Sequence, residues 1–245
     1  NGGVKINTVA TKPQKFVFEV HIRETRSILG KFWGKRKGVF EITLEAIVID
    51  AIRYVSLEQG KGGWTNVIPK NKNIEIALPA YLKVRLEKQD SERQYFIILE
   101  GHRRGERASV KIESDGTLHL ESKNHQTGPV HLVYSISKNI LKFRGKVYKT
   151  KRHPKDVEPP KMGLYDLEIP DSPHGGGEYY IDRASLAKVW FPIGHDNSGR
   201  YLHTGSVTRG CITLTEIKKW NQLCKILMKA RKGDGISIGV LKIID

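Results

Sequence analysis

From residue 15 onward, apolar and polar side chains alternate with a period of two in short runs separated by Gly and charged turns. Residues 16–22, 39–44, 74–78, 84–86 and 95–100 are such runs, rich in Val, Ile, Phe and Tyr. That alternation predicts half-buried strands. Residues 44–54 are more continuously apolar and fit either a buried strand or a helix. Residues 109–113 and 117–121, joined across Ser114-Asp115-Gly116, predict a hairpin. The polar residues before about position 14 are expected to fray.

The turn-forming stretch Asn124-His125-Gln126-Thr127-Gly128-Pro129 divides the pattern. A β-rich domain without evident chemistry is expected over residues 1–128, and a second domain over 129–245. The second half carries short strands and a final one at 236–243. Its period changes once, where Ile217, Trp220, Leu223, Cys224 and Leu227 recur at helical spacing. Thr213 and Glu216 stand where a capping box would begin that helix, and Gly233 where it would end. The fold class expected is mainly β with one prominent helix.

Composition narrows this picture. A chain of 245 residues with 38% hydrophobic side chains can bury a substantial core. No apolar run approaches the length of a membrane span. The sequence opens without a recognisable signal peptide. A net charge of +16 favours polyanions, whether nucleic acid or anionic envelope polymers, and also serves solubility. No zinc finger, RNP sequence or helix-turn-helix pattern points to a specific nucleic-acid partner. Only two cysteines are present, so disulfides do not organise the fold. Cys224 falls on the apolar stripe of the expected helix, where a free thiol packs as a small hydrophobe.

Cys211 is different. It follows Gly210 in the stretch Tyr201-Leu202-His203-Thr204-Gly205-Ser206-Val207-Thr208-Arg209-Gly210-Cys211-Ile212-Thr213. A thiolate is a strong nucleophile, and a nearby imidazole can take the thiol proton. Were the stretch one extended strand, His203 and Cys211 would lie roughly 26 Å apart. The Gly, Ser and Thr between them predict a tight reversal instead. Cys211 is expected just ahead of the helix, where the dipole favours thiolate. The N–H groups of Gly210 and Cys211 are candidates for an oxyanion hole. Cys211, His203 and Gly210 are thus the candidate catalytic residues. Arg209 beside them is suited to steering a carboxylate.

Two other clusters compete for attention. Ser172-Pro173-His174-Gly175-Gly176-Gly177 is Gly-rich but lacks the Gly-Lys-Ser/Thr of a phosphate loop, and reads as a surface turn or a substrate-wall loop. His195 with His174 and His203 lacks the close ligand pairs of a zinc site. No metal and no cofactor is expected.

At these residues the chain resembles the L,D-transpeptidase (YkuD) family. Thr208, Gly210, Cys211 and Ile212 match its Ser/Thr-His-Gly-Cys motif, and His203 matches its upstream His. Arg209 stands in place of the motif His, Thr213 in place of an Arg or Asn, and the spacer is short. Residues 133–143 resemble that family's opening hairpin, and Pro159-Pro160-Lys161-Met162-Gly163-Leu164-Tyr165 resembles its Pro-x-Gly-x-Tyr turn leading into a strand. The resemblance covers about the last 110 residues. It implies a β-sandwich catalytic domain and acyl transfer on peptidoglycan stem peptides in the periplasm or envelope, either the cell's own or a competitor's. It also implies a backbone carbonyl, near Ser206 or Arg209, to orient His203. Arg209, Thr208, Ser206, His174 and Tyr201 are then the candidate substrate-binding residues. Another thiol peptidase or amidase, or an envelope-binding protein with a decayed site, remains an alternative.

Overall fold

The computed structural model describes residues 17–20, 44–47, 51–70, 72, 74–194 and 199–245. The expected strand positions 16, 21–22 and 39–43 lie outside the described residues. The protein is mainly β, with one α-helix among the described residues. Strands β1 (Val17–Val20) and β2 (Leu44–Ile47) form an antiparallel pair. Seven more follow: β3 (Ala51–Val55), β4 (Trp64–Pro69), β5 (Ile76–Pro79), β6 (Lys83–Gln89), β7 (Arg93–Ile98), β8 (Arg107–Lys111) and β9 (Leu120–Glu121). They make one sheet in the order β5-β4-β8-β7-β6-β3-β9. The described parts of the ambiguous segment 44–54 are therefore strands.

The hairpin expected between 109–113 and 117–121 does not form. β8 lies between β4 and β7, so neither of its edges is free. The chain turns at Gly116 and passes on to β3, placing buried Leu120 opposite buried Val55. Burying Leu120 outweighs a local hairpin whose partner strand is already paired.

The remaining strands form two sheets. β10 (Val130–Ser135), β11 (Ile140–Phe143), β12 (Lys146–Lys149), β13 (Gly163–Glu168) and β17 (Ser237–Ile244) assemble as β12-β11-β10-β17-β13. β14 (Phe191–Pro192), β15 (Tyr201–Thr204) and β16 (Ile212–Leu214) make a three-stranded sheet. Isolated bridges join the two sheets at both edges, Leu167 to Ile193 and Thr150 to Leu214. The sheets thereby curl around a common core that contains Leu132, Tyr134, Leu141, Leu167, Leu202 and Leu241. β10 and β17 run parallel at the centre, and Gly239 allows this: a Cβ there would sit 2.0 Å from the Val130 carbonyl oxygen.

Helix α1 (Ile217–Lys229) buries Ile217, Trp220, Leu223, Cys224 and Leu227, the stripe expected from spacing. The Trp220 indole N–H donates to the Leu186 carbonyl at 2.9 Å. Its caps differ from expectation. Glu216, not Thr213, is the N-cap, and its carboxylate accepts the Lys149 N–H at 2.8 Å rather than closing a capping box. Thr213 belongs to β16. The helix ends at Ala230, ahead of Gly233, where Arg231 takes over the last carbonyls.

Arg231 also crosses between the halves of the chain. It bonds the Glu100 carboxylate at 2.9 Å and the Tyr81 carbonyl at 2.9 Å. Glu100 additionally accepts from Gln126 at 2.8 Å and from the Lys83 N–H at 3.1 Å. A buried ion pair holds only with its remaining lone pairs so satisfied.

Candidate active site around His203 and Cys211

β15 and β16 are parallel, with Leu202 opposite Ile212, His203 opposite Thr213 and Thr204 opposite Leu214. Leu202, Ile212 and Leu214 are fully buried in the core. Strand alternation then places Tyr201, His203, Cys211 and Thr213 on the other face. The chain does not reverse as expected. It loops over residues 205–211 and re-enters beside β15 in the same direction. His203 consequently faces Thr213 directly, and Cys211 is its diagonal neighbour on the same face. Gly210, at φ +95°, supplies the left-handed residue that turns the loop into β16.

His203 is 5% exposed. Its Nδ1 lies 2.9 Å from the carbonyl oxygen of Thr204, which requires an N–H at that position. The orienting carbonyl is thus Thr204, rather than Ser206 or Arg209. Nε2 is left as the acceptor and lies 3.0 Å from Thr213 Oγ1. The Thr213 hydroxyl has a second acceptor in the Val207 carbonyl at 3.2 Å. Trp190 stacks on the imidazole at 3.9 Å and 16° and also on His174 at 4.5 Å and 2°. Burial pushes the His203 pKa down to about 4, so the ring is neutral near pH 7.

Cys211 is a free thiol, 9% exposed. Burial pushes its pKa up, while a Tyr201 N–H bond and the Arg200 charge oppose the rise. This corrects the expectation of a dipole-stabilised thiolate. β16 stands between Cys211 and α1, so the helix terminus is too far along the chain to act on the sulfur. The resting pair is a thiol and a neutral imidazole.

The other expected residues are placed as follows. Thr208 is buried and its hydroxyl donates to the Cys211 carbonyl at 2.6 Å, so it shapes the loop. Arg209 is exposed, with no side-chain bond among the described residues. Ser206 is exposed and its Oγ lies 2.7 Å from the Tyr180 hydroxyl. The Tyr201 hydroxyl donates to Asp171 at 3.2 Å, and burial followed by the Asp171 charge pushes its pKa up to about 12. His174 bonds the other Asp171 oxygen at 3.1 Å. Its Gly-rich neighbours form a 3-10 turn over Gly175–Tyr180, with Gly177 packed on the Ala187 backbone. His195 lies outside the described residues. Among the described residues, no group of three or more His, Cys, Asp or Glu converges on a metal position.

Sequence reasoning missed Asp171 and His153, which reach the site from separate segments and carry no local signature; it read Trp190 only as a core or groove-lining residue and Arg200 only as part of a turn. Thr213 was visible but misread as a helix cap. The period-two spacing of Cys211 and Thr213 was the available signal.

No protein-family model and no curated protein matches the sequence. Among solved structures, the chain is similar to Mycobacterium tuberculosis L,D-transpeptidase 1, at 12% identity over 66% of this chain and 90% of that one, with a TM-score of 0.32. It is also similar to an L,D-transpeptidase from M. tuberculosis H37Rv, at 12% identity over 78% and 98% of the two chains, with a TM-score of 0.31. Likeness at that level assigns no residue a role.

Proposed function

We propose that the protein is a cysteine acyltransferase acting on peptidoglycan stem tetrapeptides, with the chemistry in residues 129–245. One observation carries the reading. A neutral imidazole, fixed by the Thr204 carbonyl, has its Nε2 lone pair on the strand face that also bears Cys211. Such a pair suits a thiol attack in which the proton leaves as the S–C bond forms.

The Thr213 hydroxyl has one proton and two acceptors. Turned toward Val207, it leaves Nε2 open to take the Cys211 proton. The sulfur attacks the carbonyl of the L-centre that precedes the terminal D-residue. The N–H groups of Gly210 and Cys211, which no turn or loop carbonyl among the described residues engages outside the strand ladders, receive the oxyanion. The C–N bond breaks, and the imidazolium gives its proton to the departing amine. An amine acceptor then attacks the thioester, His203 takes its proton, and the proton returns to sulfur. Water as acceptor makes the same site an L,D-carboxypeptidase.

Such a substrate places the protein in the periplasm or envelope. No described helix is long and apolar enough to cross a membrane. The +16 charge favours residence against anionic envelope polymers. The N-terminal β-rich residues are proposed to dock the enzyme rather than to catalyse.

Wild type and Cys211→Ala, each incubated with tetrapeptide muropeptides, test this by mass spectrometry. Wild type is expected to remove or exchange the terminal D-residue and to show an acyl adduct, and Cys211→Ala to do neither. Muropeptides left unchanged by both proteins overturn the proposal.

A further inference from the structure

Two basic side chains near Cys211 carry buried polar atoms that nothing among the described residues engages. Nη1 of Arg200 has no hydrogen-bond partner, and neither has Nδ1 or Nε2 of His153. The Lys151 N–H donates to the Thr213 carbonyl at 2.8 Å and Thr150 bridges antiparallel to Leu214, which sets the chain at His153 alongside the Gly210–Cys211 loop. Burial, and then the Arg200 charge, lower the His153 pKa. The Arg200 guanidinium lies along Gly210, with Nε 3.6 Å and Cζ 3.8 Å from where a Gly210 Cβ would be. His153 stacks on Tyr134 at 6.4 Å and 25°. Arg200 and Tyr201 also line an open cavity of about 540 Å³.

An arginine is charged at every accessible pH and offers five donors in a planar fork. Buried donors are normally bonded, so an unengaged set beside a nucleophile calls for an acceptor from outside. The cavity's own carboxylates are already engaged. Asp166 bonds Lys232 at 2.6 Å, Glu168 bonds His102 at 3.1 Å, and Asp171 bonds His174 and Tyr201. A two-oxygen anion fits the guanidinium fork, and a neutral imidazole N–H adds a further donor.

We infer that Arg200, assisted by His153, is the subsite for the C-terminal carboxylate of the donor stem peptide. The inference rests on the acyl-transfer reading. It gives the carboxylate-holding role to Arg200, which borders the cavity and Cys211, instead of to exposed Arg209.

The test measures binding apart from turnover. Full-length Cys211→Ala is titrated calorimetrically with a stem tetrapeptide ending in a free carboxylate and with the same peptide ending in an amide. The acid is expected to bind at least about tenfold more tightly, as a charge-assisted fork provides. Adding Arg200→Gln is expected to bring both peptides to the amide's affinity, and Arg200→Lys to restore part of the difference. Because Arg200 has no side-chain hydrogen bond among the described residues, Arg200→Gln is expected to melt no lower than its parent. Equal binding of acid and amide to Cys211→Ala, or a preference that survives Arg200→Gln, overturns the subsite. Wild type that binds the acid selectively but leaves it uncleaved refutes acyl transfer and leaves the subsite standing. Failure of both peptides to bind refutes both.

Discussion

His203 is the base in the proposed reaction, and its burial has a consequence for stability. The folded imidazole titrates at about 4 and its ordinary value is 6.5, so the unfolded chain binds a proton that the native state refuses. The native state is therefore favoured most above pH 6.5, loses ground as pH falls toward 4, and loses no more from this group below that. The full loss is on the order of 3 kcal/mol. Chemical denaturation of His203→Gln is expected to lose less stability than wild type, by about that amount, between neutral pH and pH 4. The same value sets the acid limb of activity: kcat/KM is expected to hold down to about pH 5, because the base stays unprotonated there. A limb near the ordinary histidine value would contradict the neutral, desolvated ring. Thr213 gives a second check. Thr213→Val removes the hydroxyl that both satisfies and releases Nε2, and is expected to lower kcat about tenfold, while Thr213→Ser stays near wild type. Equal rates in the two variants would mean that the hydroxyl has no part in the proton transfer.

At the scale of elements, β17 is the strand around which the C-terminal half is arranged. It pairs with β10 on one side and β13 on the other. The parallel contact with β10 brings the Val130 backbone onto Gly239, where any Cβ would overlap it. Gly239→Ala is expected to separate the two central strands, costing more than about 4 kcal/mol and abolishing a cooperative melt in circular dichroism. Gly128→Ala is the contrast, since nothing lies within 4 Å of a Cβ there, and its melt is expected to match wild type. Helix α1 shows what spacing does and does not encode. Its buried stripe follows from 3.6-residue periodicity, yet its first residue depended on whether Thr213 and Glu216 were drawn into strand and loop bonds elsewhere.

For the molecule as a whole, the expected division near residue 128 is crossed by a shared core. One hydrophobic cluster runs from Val55 and Phe96 through Leu132 and Trp220 to Ile243. The Glu100–Arg231 pair, with both side chains 8% exposed, ties the first large sheet to the end of α1. Breaking such a pair leaves a buried charge and costs about 3–5 kcal/mol. Glu100→Ala is expected to lower the melting temperature while keeping a single transition, followed together by far-ultraviolet circular dichroism and tryptophan fluorescence. Two separated transitions in wild type would instead mean that the halves fold independently.

The alternation of apolar residues determined the strands, the helical stripe determined α1, and the Gly-Cys and His pattern marked the candidate site. Those properties are local, written in the order of side chains along the backbone. Which strands pair was not local. β9 went to β3 because β8 had no free edge, and β16 came in parallel to β15, so that Thr213 rather than Cys211 faces His203. The neutral ring, the raised thiol and the nearness of Arg200 and His153 depend on what distant segments bring around the site. Desolvation and contact are set by the enclosing volume, and only the tertiary structure fixes that volume.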